Sequence, residues 1–234
     1  MNGDTLAVIP ARGGSKRIPR KNLKTLGEKP LIAHTIEQAE AATRVTRAVV
    51  SSEDEEIRSV AESHGGDVPF ERPPELATDE ATNVGVVEHA LDWAEANDRT
   101  YERVCLLQVT SPFRSPDDID TALERLVSSE AETVVTTSEF GTPPFWAVES
   151  NEEGFLEPYF EGEYLWSKTR TQSVPTLRHP NGAVFAATTT AFRRERSFYT
   201  DRTLGVEMPP ERSLDVDEPI DLRVARALYR TRSA

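Results

Sequence analysis

The sequence predicts an α/β fold: a mainly parallel sheet covered by helices on both faces, with a protruding aromatic-rich segment. Three observations carry that prediction. Apolar runs of strand length recur along the chain, as at residues 6–9, 47–52 and 104–109. Stretches with apolar residues at helical spacing alternate with them through short loops, the pattern of repeated βαβ units. At 234 residues the chain is long enough to bury one large core, so a single domain over residues 1–234 is expected.

Leu6-Ala7-Val8-Ile9 reads as a buried first strand. It opens into Gly13-Gly14, flanked by Arg12, Lys16, Arg17, Arg20 and Lys21. Adjacent glycines let backbone N–H groups approach a ligand closely, and Arg and Lys supply countercharge. The pattern reads as a phosphate cradle, against the alternative of a solvated basic loop. It is neither a Walker loop nor GxGxxG. Residues 30–39 repeat apolar side chains at helical spacing behind Pro30, which suits a first turn; His34 reads as a packing residue. A second buried strand follows at residues 47–52, then a helix from Asp54 to about His64 ended by Gly65-Gly66. A brief strand is expected at residues 68–70 and a proline-bearing loop at residues 72–76. Thr82 or Asn83 caps the next helix, which turns Val86, Val87, Ala90, Leu91 and Trp93 inward.

Residues 104–109 form the most apolar strand, ending at Gln108 and the loop Thr110-Ser111-Pro112-Phe113-Arg114. Asp117 is expected to cap a helix through Leu126, ahead of a strand at residues 133–137. Ligands in such sheets bind beyond the carboxyl ends of the strands, where the Gly13 loop, Gln108 and Ser111 fall. Residues 141–180 break the rhythm. Trp146, Phe155, Tyr159, Phe160, Tyr164 and Trp166 sit there among prolines and glycines, too aromatic for a disordered linker. A lid, a hairpin arm and an oligomer surface are the open readings. The pattern then resumes with a strand at residues 182–187, a helix around Ala191, a strand at residues 204–208 and a final helix from Pro219 through Tyr229. Asp215 and Asp217 lie one residue apart. In an extended segment their carboxylates share a side, an arrangement of hard oxygens that suits Mg²⁺. A solvated acidic turn is the alternative in so acidic a chain.

Lys and Arg number 27 against 40 Asp and Glu, a net charge of −13. That balance argues against nucleic acid or an anionic membrane as partner. Positive charge is nearly all Arg, with lysine at positions 16, 21, 24, 29 and 168 alone; this bias suggests a halophilic protein, whose self-repulsion high salt screens. Cys105 is the single cysteine, so no intrachain disulfide forms, and its apolar setting reads as an inert buried thiol. No signal peptide and no apolar stretch of spanning length is evident, so the expected compartment is the cytoplasm.

The run A-R-G-G-S-K-R-I-P-R-K-N at residues 11–22 resembles the N-terminal signature of the CMP-sialic acid synthetase (acylneuraminate cytidylyltransferase) family. Leu107-Gln108-Val109-Thr110-Ser111-Pro112-Phe113-Arg114, Pro180-Asn181-Gly182-Ala183 and Ser213-Leu214-Asp215-Val216-Asp217 follow in the family's order across nearly the whole chain. The resemblance implies a Rossmann-like nucleotidyltransferase fold, and a CTP-dependent enzyme that converts a nine-carbon acidic sugar (N-acylneuraminate or a related nonulosonic acid) to its CMP derivative and pyrophosphate. It implies Mg²⁺ as cofactor and a homodimer formed largely through residues 141–180. Arg12, Gly13, Gly14, Ser15, Lys16, Lys21 and Asn22 take the triphosphate in that reading, with Arg72 and Asn83 near base and ribose. Asp215 and Asp217 hold the metal, and with Arg12 and Lys21 make the catalytic set. Gln108, Arg170, Arg178 and Asn181 match positions near the acidic sugar. Phe185, Phe198 and Tyr199 match a wall for its acyl group, although core packing explains those aromatics equally well.

Two departures stand out. Arg178-His179-Pro180-Asn181 holds one residue more than the usual Arg-Pro-Asn-Gly, and a lysine that some members carry near residues 144–146 is absent. Both point toward a variant nonulosonic acid such as legionaminic acid. A cytidylyltransferase for the eight-carbon acid Kdo is the nearest rival, but such enzymes carry Leu-Ala-Ser-Thr/Ser-Arg in place of Gly13-Gly14-Ser15-Lys16-Arg17. A non-catalytic nucleotide-binding protein is opposed by the retention of both aspartates.

Overall fold

The computed structural model describes residues 3–160 and 175–232. In chain order the elements are β1 (Thr5–Pro10), a small hairpin β2 (Thr25–Leu26) and β3 (Lys29–Pro30), α1 (Leu31–Ala41), β4 (Arg47–Ser51), α2 (Glu55–Ser63), α3 (Asn83–Asn97), β5 (Arg103–Leu106), α4 (Pro116–Ser128), β6 (Thr133–Glu139), a hairpin β7 (Val148–Ser150) and β8 (Leu156–Pro158), β9 (Arg178–Thr188), α5 (Thr189–Glu195), β10 (Thr203–Glu207) and α6 (Pro219–Arg232). Six strands make the central sheet in the order β10-β6-β9-β5-β1-β4.

Strand alternation divides the core between the two faces. Leu6, Val8, Val49, Val104 and Leu106 pack with Val86, Val87, Ala90 and Leu91 of α3 and Phe192 of α5. Ala7, Ile9, Ala48, Val50, Cys105 and Leu107 pack on the other face against α1, α2, α4 and α6 through Ile32, Ile57, Ile119 and Leu222. Burial pushes the Cys105 thiol up to about 12, which leaves it protonated and inert.

The mainly parallel prediction holds for β1 with β4 and β5, and for β10 with β6. β9 runs antiparallel to both neighbours; an apolar run reads the same in either direction, so periodicity does not report this. The brief strand expected at residues 68–70 is absent. The chain there makes one bridge, Asp67 to Val49, beside β4, and Pro69 has no N–H to extend a ladder. Ser115, not Asp117, caps α4. Its hydroxyl accepts from Asp118 N and its own N–H donates to the Asp118 carboxylate, a capping box completed by Pro116 at the first helical position. Thr82 caps α3 by accepting from Gly85 N. Trp93 is half-buried and packs against the α3 core cluster at its margin, while Ala94 is buried within it. Among the described residues, no helix is long and apolar enough to cross a membrane.

One buried cation holds the carboxyl edge of the sheet together. Arg114 is 1% exposed and has no carboxylate partner among the described residues. Its Nη1 donates to Ala183 O of β9 at 2.5 Å and to Gln108 O at 3.3 Å, and Nη2 donates to Gln38 Oε1 of α1 at 3.0 Å. Gln38 in turn donates to Pro112 O at 2.7 Å. Replacing Arg114 with Met keeps the apolar stem and takes a donor from three acceptors, of which Gln108 O keeps Ser111 N; each acceptor left unpaired costs about 1–3 kcal/mol. Relief of the buried charge offsets part of that loss, so Arg114→Met is expected to lower stability by about 2–4 kcal/mol. Urea unfolding should show a lower midpoint at unchanged slope.

Candidate active site

A cleft of about 590 Å³ opens beyond the carboxyl ends of β1, β4 and β5. Arg12, Ser15, Lys16, Arg17, Lys21, Asn22, Arg72, Asn83, Gln108, Asp215 and Asp217 all line it. The loop after β1 delivers the cations. Asn22, 6% exposed, donates from Nδ2 to Arg12 O at 2.9 Å and pins the two ends of the loop together. Ser15 N donates to Gly13 O at 3.0 Å, a tight turn. Arg20 faces away, bonded to Asp54 and Glu56. Gly13 is needed for close approach: a Cβ there would lie 2.5 Å from Asp54 Oδ2. Its N–H donates to Glu53 Oε1 at 2.7 Å. A side chain at Gly14 would meet nothing within 4 Å.

The facing wall comes from the segment before α6. Four contacts fix it: Arg212 forks onto Asp118 at 2.9 and 3.0 Å, Asn181 Nδ2 donates to Ser213 Oγ at 2.9 Å, Val216 N donates to Thr110 O at 2.7 Å, and Asp221 Oδ2 accepts from Asp217 N at 3.0 Å. Val216 is fully buried, so Asp215 and Asp217 on either side of it present to the cleft. Their environments differ. Partial desolvation on the cleft floor, with Asp217 alongside, raises the Asp215 pKa above the ordinary carboxylate range although the side chain touches water. Asp217 goes the other way: hydrogen bonding by Lys21, and then the charge of Arg17, holds it low. Lys21 Nζ and Arg17 Nη1 each lie 2.8 Å from an Asp217 oxygen.

Arg72 is 2% exposed, its Nε donating to Ser51 Oγ at 3.1 Å and its fork to Ser51 O. Desolvation pushes its pKa down to about 10, so it enters neutral solution charged but poorly compensated. Gly182, at φ 76° in a bulge of β9 opposite Thr136, lets the Gln108 amide pass: a Cβ there would lie 2.9 Å from Gln108 Oε1.

Other sequence-predicted residues fall elsewhere. Asn181, 4% exposed, is occupied by Thr136, Ala183 and Ser213 inside the protein and does not line the cleft. Arg178 pairs with Glu139 and Glu207 outside it. Phe198 packs in the core at 4.8 Å from Phe192, with Phe185 at 5.8 Å, while Tyr199 is exposed. Arg170 lies outside the described residues, as do Tyr164 and Trp166. Sequence reasoning missed Asp79, which bonds Arg12 and Lys16, and the positioning pair Asp118–Arg212. Neither carries a compositional signal in a chain so rich in acids.

The cytidylyltransferase family model matches residues 6–151, more than half the chain. The chain belongs to the cytidylyltransferase family. It is 33% identical over 225 residues to the pseudaminic acid cytidylyltransferase of Campylobacter jejuni serotype O:2, with 96% of each chain covered. It is 34% identical over 227 residues to the CMP-N,N'-diacetyllegionaminic acid synthase of Legionella pneumophila, covering 95% of each. The N-acylneuraminate cytidylyltransferase of Escherichia coli O18:K1:H7 is 33% identical over 225 residues, which are 96% of this chain but 52% of that one. Among solved structures, the CMP:2-keto-3-deoxy-manno-octonic acid synthetase complexed with CTP superimposes with a TM-score of 0.69, covering 98% of this chain and 99% of that one at 18% identity, a likeness of fold. For this family member the geometry generates a direct test. Lys21 is 14% exposed and meets the cleft through a single ammonium group. A charged hydrogen bond to phosphate contributes roughly 1.5–3 kcal/mol. Lys21→Ala should therefore weaken binding of inorganic triphosphate about ten- to hundredfold, read by calorimetry, with an unchanged circular dichroism spectrum.

Proposed function

We propose that this cytidylyltransferase transfers CMP from CTP to a nonulosonic acid and releases pyrophosphate. The observation that carries the reading is the convergence of the β1 loop cations, Arg72, Gln108 and the Asp215–Asp217 pair on one cleft. Arg12, Lys16 and Lys21 neutralise the triphosphate, Arg72 and Asn83 flank the nucleoside, and Gln108 meets the sugar. The anomeric oxygen bonds to the α-phosphorus as the bond from that phosphorus to the pyrophosphate oxygen breaks. Such transfers depend on positioning and charge neutralisation. One of the two aspartates takes the hydroxyl proton, directly or through water; Asp217 is tied to Lys21 and Arg17, which leaves Asp215 the freer of the pair for that role.

The donor set fits Mg²⁺. Asp215 and Asp217 meet the cleft from one short segment, the third lining carboxylate, Asp79, being held by Arg12 and Lys16, and the described residues hold no cluster of three or more side chains that could cage a metal. One or two carboxylates, completed by phosphate and water, is the arrangement this ion favours. Bound at Asp215 and Asp217, it supplies neutralisation of the charge that grows on the departing pyrophosphate.

Two relatives spanned end to end are named for pseudaminic and diacetyllegionaminic acid. Their names favour an acceptor of that kind over N-acetylneuraminate. A homodimer is part of the same reading: the β7–β8 hairpin and its flank leave Phe155, Leu156 and Tyr159 66%, 59% and 63% exposed, and interface cores favour such aromatics. A cytoplasmic, salt-adapted enzyme is the setting that the net charge of −13 supports.

Pyrophosphate release from CTP across a panel of nonulosonic acids and Kdo tests the reaction. A pseudaminic or legionaminic acid is expected to be the preferred acceptor, and no turnover with any nonulosonic acid refutes the reading. Asp215→Asn and Asp217→Asn should each reduce kcat about a hundredfold or more while CTP affinity changes far less. Added Mg²⁺ should partly restore Asp217→Asn and leave Asp215→Asn inactive. Light scattering in molar KCl should show a dimer. Melting temperature should keep rising with KCl beyond 1 M, where the Debye length is already about 3 Å; an active monomer, or a flat salt profile, refutes the corresponding part.

A further inference from the structure

Every cation that the β1 loop turns into the cleft already holds a carboxylate of the same chain. Lys21 and Arg17 take Asp217. Arg12 and Lys16 take Asp79, which no part of the proposed chemistry uses. Lys16 Nζ lies 2.6 Å from Asp79 Oδ2, and Arg12 Nη1 lies 3.2 Å from Oδ1 and 2.9 Å from Thr78 O. Asp79 sits on the cleft wall in the loop between the 3-10 turn Pro74–Leu76 and α3. Its two oxygens are divided between two cations, as two oxygens of a phosphate group are in a charge-assisted site. The hydrogen bond from Lys16 holds the carboxylate below its ordinary range, so it stays ionised at neutral pH. Its side chain is 48% exposed, so water can replace protein around it when the pair opens.

We infer that Asp79 is a specificity-determining residue that occupies Arg12 and Lys16 as an internal anion, one that a polyphosphate displaces and a monophosphate does not. The inference rests on the reading of the loop as a triphosphate site. The physical reason is a competition of charges. Asp79 brings a single negative charge but is tethered beside its cations at high effective concentration. A triphosphate or pyrophosphate brings several charges to the same two cations and outcompetes it. A phosphodiester such as that of a CMP-sugar brings one, so Asp79 reclaims the cations once pyrophosphate has left. Removing Asp79 therefore tightens polyphosphate binding, the opposite of what loss of a structural residue does. Exposed ion pairs are individually weak, so the gain over two pairs is about two- to tenfold.

The test is calorimetric titration of the full chain with inorganic pyrophosphate, CTP and CMP. It compares wild type, Asp79→Asn, Asp79→Glu and Asp201→Asn. Asp201 is an exposed carboxylate in the turn before β10, at the amino edge of the sheet, and controls for net charge. Asp79→Asn should bind pyrophosphate and CTP about two- to tenfold more tightly, with a smaller change for CMP. Asp79→Glu should restore wild-type affinity, Asp201→Asn should leave it unaltered, and inhibition of turnover by pyrophosphate should strengthen in Asp79→Asn by the same factor. Unchanged or weaker pyrophosphate binding by Asp79→Asn overturns the inference. An equal gain in Asp201→Asn, or no pyrophosphate binding by wild type, does so as well. The pyrophosphate titration needs neither sugar nor turnover. A gain there, beside no product from any sugar, keeps the role of Asp79 and refutes the assigned reaction instead.

Discussion

The carboxyl edge of this sheet depends on a guanidinium that has no carboxylate partner among the described residues. Arg114 is enclosed by protein, and desolvation pulls its pKa down to about 10, yet it remains protonated at neutral pH. Its attraction is spent on neutral acceptors in three elements: the strand-end turn at Gln108, the β9 backbone at Ala183, and Gln38 of α1. A lysine ammonium could not hold that spread of directions, whereas a planar fork can. The consequence reaches the cleft. Gln108 must pass Gly182 at a distance that leaves no room for a Cβ. The bulge carrying Gly182 also carries Asn181, which holds Ser213 just ahead of the two aspartates. The fixed relation between β9 and the Gln108 turn thus sets where both the amide and the carboxylates stand.

What could be read from the chain follows from what each interaction leaves in the sequence. Strand alternation and helix caps are local, so Leu6 to Ile9, Thr82 and Asp54 announce themselves. The cation loop is legible because five basic residues interrupt an acidic chain. Its glycines are a partial exception. Gly13 answers a steric demand from Asp54 that no local pattern contains, and Gly14 answers none that the surrounding atoms impose. Arg114, Asn181 and the Asp118–Arg212 fork are invisible for a different reason. Each depends on a buried polar group bonded across a long separation in sequence, and hydropathy scores such a residue as surface. The direction of β9 is silent too, because an apolar run has no arrow. Asn181 shows the limit of motif matching: the motif locates it at the site, and the structure gives it a scaffold position behind the site.

Charge balance decides how the cleft behaves before any ligand arrives. With a net charge of −13, this chain is unlike the usual phosphate-binding protein, whose basic face advertises itself over a distance. Here Asp79, Asp217 and Glu218 cancel the loop's field at close range. Long-range steering is therefore weak, the more so in concentrated salt, where the Debye length is about 3 Å at 1 M. Under the proposed reading, recognition depends instead on partner exchange at contact. Concentrated salt affects that exchange on both sides, since it screens the internal pairs as well as the incoming phosphate.

The two aspartates show how one dipeptide spacing yields two chemical groups. Alternation about the buried Val216 gives both the same outlook, so geometry alone makes them equivalent. Lys21 and Arg17 then reach only Asp217, because the loop that carries them approaches from that side. Asp217 is stabilised as an anion and is a poor base. Asp215, raised by partial desolvation and by its neighbour's charge, holds a proton more readily. Neighbouring carboxylates in such different surroundings can divide their labour, and in the proposed reaction Asp217 would keep its charge for a cation while Asp215 moves a proton. The division depends on Lys21 and Arg17 staying with Asp217. If a triphosphate draws those cations away, Asp217 is released as a metal ligand at the moment phosphate oxygens arrive to complete the coordination shell. Nucleotide and metal would then enter together, each freeing the partner that the other requires.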